Sequence, residues 1–142
     1  MLLMIQVILI LTAASVLTVC CVQDLRAKEF SLWLALVLYA VAAANAILTS
    51  RLAANLAAAA VVFGILGAVS LLSKQHLGFG DVMILSALVL FKGFASGVFI
   101  FSTALIFCLV LCIIRLTLSK EKQNTETAFV PFLSIGFVMS FI

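Results

Sequence analysis

Asp24, and the Asp81 that closes Gly78-Phe79-Gly80-Asp81, are lone carboxylates at the edges of hydrophobic stretches. An ionisable side chain at membrane depth is expensive and by default marks a functional position. Two carboxylates that meet on one side of a membrane are sufficient for acid/base hydrolysis. One takes a proton from water while the other, protonated, polarises a carbonyl. The sequence contains no Ser/His/Asp set, nucleotide loop or metal-ligand cluster to compete for the chemistry, so neither a metal nor an organic cofactor is expected. The cysteines Cys20, Cys21, Cys108 and Cys112 form no Cys-x-x-Cys pair of the kind zinc sites use, and they read as small packing residues.

The elements that must hold these groups are membrane helices. Of 142 residues, 67% are hydrophobic and 9% charged, and the mean hydropathy is +1.44, which excludes a soluble globule. Uncharged runs cover Met1 to Gln23, Phe30 to Ser50, Leu52 to Ser73, Gly93 to Ile114 and Thr127 to Ile142. Most reach the roughly 20 residues that a helix needs to cross the hydrocarbon. A shorter run, Val82 to Phe91, joins the Leu77 to Asp81 stretch as a sixth span. Either the glycine stretch dips into the membrane as irregular backbone, or a short helix sits between longer neighbours. The expected fold is all-α: one integral-membrane unit over residues 1–142, a polytopic bundle of six transmembrane helices.

Charge sets the expected orientation. Arg26, Lys28, Lys74, Arg115, Lys120 and Lys122 follow helices one, three and five, against only Arg51 and Lys92 on the other side. The positive-inside rule places the first set in the cytoplasm and the N-terminus outside. All five acidic residues, Asp24, Glu29, Asp81, Glu121 and Glu126, fall on that same face. Helix one lacks a basic n-region and a small-residue cleavage site, so it reads as a retained span. The alanines from Ala53 to Ala60 and the Gly93-x-x-x-Gly97 spacing suit close helix packing. Glu121, Glu126 and His76 read as solvated loop residues, and the loop lysines as topology determinants with contact to anionic lipid as a secondary role.

Three segments resemble one family. Gly78-Phe79-Gly80-Asp81 and the Val-Met-Ile-Leu-Ser-Ala-Leu that follows are similar to the Gly-x-Gly-Asp motif and next helix of type IV prepilin peptidases, which are membrane aspartyl proteases. Asp24-Leu25-Arg26-Ala27-Lys28-Glu29-Phe30 resembles the first catalytic Asp and basic loop of that family, although Phe30-Ser31-Leu32 stands where Ile-Pro-Asn is common. Phe129-Val130-Pro131-Phe132-Leu133-Ser134-Ile135-Gly136 resembles its C-terminal Pro-Phe-x-x-x-Gly segment.

The resemblance implies an aspartic endopeptidase in the cytoplasmic (inner) membrane. Asp24 and Asp81 would be catalytic, with Gly78, Phe79, Gly80 and Pro131 around the substrate. That substrate would be a prepilin or pseudopilin, cleaved at the cytoplasmic membrane edge. Pilus-assembly or secretion machinery and membrane lipid are the implied partners, and nucleic acid is not one. The paired-cysteine region that bifunctional members add is missing, so no N-methylation is expected. Two other classes stay open on the residues alone: a proton-coupled transporter or channel subunit using the Asp pair as a relay, and an inactive pilus-assembly scaffold. Asp81 can also be read as a helix N-cap and Asp24 as an interfacial charge.

Overall fold

The computed structural model describes residues 1–27, 32–73, 78–118 and 129–142. Six helices follow in order: α1 (Leu2–Ala27), α2 (Leu32–Leu48), α3 (Leu52–Leu72), α4 (Phe79–Lys92), α5 (Phe94–Leu118) and α6 (Val130–Met139). No strand occurs among the described residues, and the protein is an all-α bundle. Three helices are long and apolar enough to cross a membrane, over Leu2–Arg26, Leu52–Leu72 and Phe94–Leu118. The others are shorter, with 17 residues in α2, 14 in α4 and 10 in α6. Lys28, Glu29, Phe30, Ser31, Lys74, His76, Lys120, Glu121, Lys122 and Glu126 lie outside the described residues.

The short α4 is the middle of the bundle. It packs against α2, α3, α5 and α6, while α1 lies on α2 and α6. Nine of its fourteen residues are buried, and the outward faces of the long helices carry exposed apolar residues such as Leu3, Leu56 and Leu109. Of the two arrangements open from the sequence, the short helix between longer neighbours is the one adopted. A helix of that length rises about 21 Å, less than the longer α3 and α5 beside it.

Lipid is as apolar as leucine, so such a bundle holds by close packing and interhelical hydrogen bonds. Both are visible. The Val89 side chain fills the space a Cβ on Gly97 would need, and a Cβ on Gly136 would stand 2.7 Å from the Ile100 carbonyl. Gly93 has a different task from the packing role its spacing predicts. At φ 97° and ψ 172° it takes a conformation open almost only to glycine, ends α4, and turns the chain into α5.

The last carbonyls of any helix lack intrahelical partners. For α4 they are met by amides from two neighbours: Asn45 Nδ2 donates to the Phe91 carbonyl at 2.8 Å and Asn55 Nδ2 to that of Leu90 at 3.1 Å. The Tyr39 and Ser86 hydroxyls join α2 to the middle of α4. At the far end, Lys92 Nζ donates to the carbonyl and hydroxyl of Ser140, at 2.8 and 3.0 Å, which ties α4 to the chain just after α6.

Candidate active site

Asp81 stands in the first turn of α4, after the N-cap Gly78. Its N–H donates to the Gly78 carbonyl at 3.0 Å, and the side chain folds back over the same glycine. A Cβ on Gly78 would lie 3.0 Å from Asp81 Oδ2. Gly78 therefore makes room for the carboxylate itself, a reason for the glycine that its sequence context did not show. Its φ of −58° places no demand for glycine. Phe79 meets Phe63 of α3 edge to face, with centroids 5.8 Å apart, and so fixes the start of α4 against its neighbour. Gly80 sits half-buried within the same first turn.

Asp24 comes from α1, which lies on α2 and α6. The uncharged run ends at Gln23, but α1 continues to Ala27, so Asp24 lies in its last turns. It faces the start of α6. Helix N-termini have free N–H groups, and α6 opens without a side-chain cap and with Pro131 in its first turn. Proline brings no N–H, which leaves Val130 to offer one. The Val130 backbone amide lies close enough to the Asp24 carboxylate to interact with it, which links the end of α1 to the start of α6. Pro131, half-buried, thus helps shape the site through its neighbour's amide.

The two carboxylates are brought to the same end of the bundle, near enough for the charge of Asp24 to act on Asp81. Asp24 Oδ2 is buried and has no hydrogen-bond partner among the described residues. A buried carboxylate oxygen left unpaired is costly. Such an atom is available to a water or to a substrate amide. Cys108, on α5, lies within electrostatic reach of Asp81, and Cys20 stands one turn before Asp24. No spacing in the sequence ties these thiols to the aspartates. All four cysteines are free. Among the described residues no group of three or more His, Cys, Asp or Glu is placed to hold a metal ion.

The chain belongs to the type IV leader peptidase family, whose profile matches residues 11–113. Asp24 and Gly78-Phe79-Gly80-Asp81 fall inside the matched stretch, while Pro131 and α6 lie beyond it. No curated protein and no solved structure matches the chain. Membership makes this protein a prepilin-type leader peptidase in general terms, a protease built into a membrane by its long apolar helices.

Proposed function

We propose that Asp24 and Asp81 are the catalytic pair of a metal-independent aspartic endopeptidase that removes the leader of prepilin-like or pseudopilin-like proteins at the cytoplasmic edge of the inner membrane. The observation that carries this reading is the pairing itself. Asp24 of α1 and Asp81 of α4 lie within electrostatic reach of each other, and one oxygen of Asp24 is buried with no partner among the described residues.

The substrate would place its basic leader among the cytoplasmic loops and its apolar helix in the membrane. The ionised Asp takes a proton from water as the water oxygen attacks the scissile carbonyl, and the protonated Asp gives its proton to the carbonyl oxygen. Collapse of the tetrahedral intermediate breaks the C–N bond. The proton taken from water then passes to the leaving amine, and the other Asp recovers its own. Placement of both carboxylates at one end favours this chemistry over a proton relay, which needs groups reachable from both faces.

The reading includes the six-span, N-outside topology, a place beside pilus-assembly or secretion machinery, and a product with a free amino terminus. None of the four cysteines is paired as Cys-x-x-Cys. Co-expression with a prepilin tests it. A mobility shift should appear with the wild type and vanish for Asp24→Asn and Asp81→Asn at equal expression. Mass spectrometry of the product should find no added methyl group.

A further inference from the structure

A cavity lies at the other end of the molecule, where α1 and α3 begin and α2 and α4 end. It has a volume of about 470 Å³ and is lined by Arg51, Lys92, Gln6 and Asn55 on its polar side and by Ile10 and Leu48 among its apolar residues. Arg51 is exposed, and its side chain makes no capping bond although it stands at the N-cap of α3. Lys92 is half-buried, with the Phe141 ring 3.3 Å from Nζ. Its contacts to Ser140 engage two of its three donors. Among the described residues no Asp or Glu lines this cavity, so its two cations meet no carboxylate side chain there.

A recess at a membrane edge with two cations on one wall and hydrocarbon on the other is complementary to an anionic amphiphile. We propose that this cavity binds the phosphate of an anionic phospholipid between Arg51 and Lys92, with an acyl chain along Ile10 and Leu48. Free phosphate shares the charge chemistry but leaves the apolar wall uncovered, and a zwitterionic lipid brings its own cation into a site that already holds two. The open amides at the start of α3 add to the attraction. The site is independent of the aspartates and of the peptidase reading.

Native mass spectrometry of the intact protein, extracted from vesicles of mixed phosphatidylglycerol and phosphatidylcholine, tests the proposal. Phosphatidylglycerol should be retained over phosphatidylcholine by roughly 25-fold, since each of the two basic groups contributes about a factor of five. Arg51→Gln and Lys92→Gln should each cut that preference several-fold, whereas Arg26→Gln, at the aspartate end, should leave it unchanged. Because Lys92→Gln also severs the tie to Ser140, the exposed Arg51→Gln decides alone if that variant does not fold. Equal retention of the two lipids, or a preference that survives Arg51→Gln, overturns the proposal. Displacement of the lipid by excess inorganic phosphate assigns the site to the free anion and overturns the lipid assignment.

Discussion

The two ends of α4 are built on opposite rules. At the Lys92 end the helix stops inside the bundle with its polar groups met: Asn45 and Asn55 take the Phe91 and Leu90 carbonyls, and Lys92 is held by Ser140. At the Asp81 end two like charges approach each other, and a buried oxygen of Asp24 has no partner among the described residues. One end spends its polar residues on anchoring the helix, and the other keeps polar capacity in reserve. That asymmetry separates structure from chemistry within a helix of fourteen residues.

If the contrast is real, variants at the two ends will fail in different assays. The largest effect belongs to Asp24→Asn and Asp81→Asn. Each should lower prepilin cleavage by about a thousandfold or more, with the thermal midpoint in detergent unchanged or raised, because a buried charge is removed. At the opposite end Gly93→Ala should cost about 1–3 kcal/mol of stability for its φ of 97°. Its added Cβ would also stand 3.3 Å from Asn55 Oδ1. Reversible unfolding in mixed micelles measures that loss, and folded Gly93→Ala protein should cleave at a near-normal rate.

Smaller effects sharpen the comparison. Gly78→Ala pushes on Asp81 Oδ2 from 3.0 Å and should reduce cleavage about tenfold through misplacement of the carboxylate, with little change in unfolding. Asn45→Leu and Asn55→Leu should each cost about 1 kcal/mol, the usual size of a hydrogen bond between membrane helices. Activity lost in proportion to stability by Gly78→Ala, or activity lost without destabilisation by Asn55→Leu, would erase the distinction between the ends.

Much of the aspartate end was legible in the sequence, because a carboxylate in an apolar context is a sparse and costly signal. Asp24 and Asp81 stood out by charge alone, and the all-α bundle followed from the hydrophobic runs. The anchoring end was not read. Asn45 and Asn55 are uncharged and sit within hydrophobic runs, so nothing in their spacing announces that they bond to the end of another helix. Gly93 misled for a related reason: a glycine that ends a helix and one that packs against a helix are the same letter, and only the backbone φ separates Gly93 from Gly97. The end of α1 lies beyond the apolar run that stops at Gln23, because a helix carries a polar residue readily in its last turns. Contact of the Val130 amide with Asp24 joins residues more than a hundred positions apart in sequence, and no local pattern reports it.

The central claim is that the two aspartates act as one unit, and a double-mutant cycle on purified protein in nanodiscs tests it most directly. Initial rates of prepilin cleavage would be compared for wild type, Asp24→Asn, Asp81→Asn and the double variant, with Glu121→Gln and Glu126→Gln as controls. The account predicts that each single variant loses nearly all activity, that the double variant is no slower than the worse single one, and that the controls match wild type. Robust cleavage by either single Asp variant at normal folding, or losses that multiply in the double variant, would contradict it.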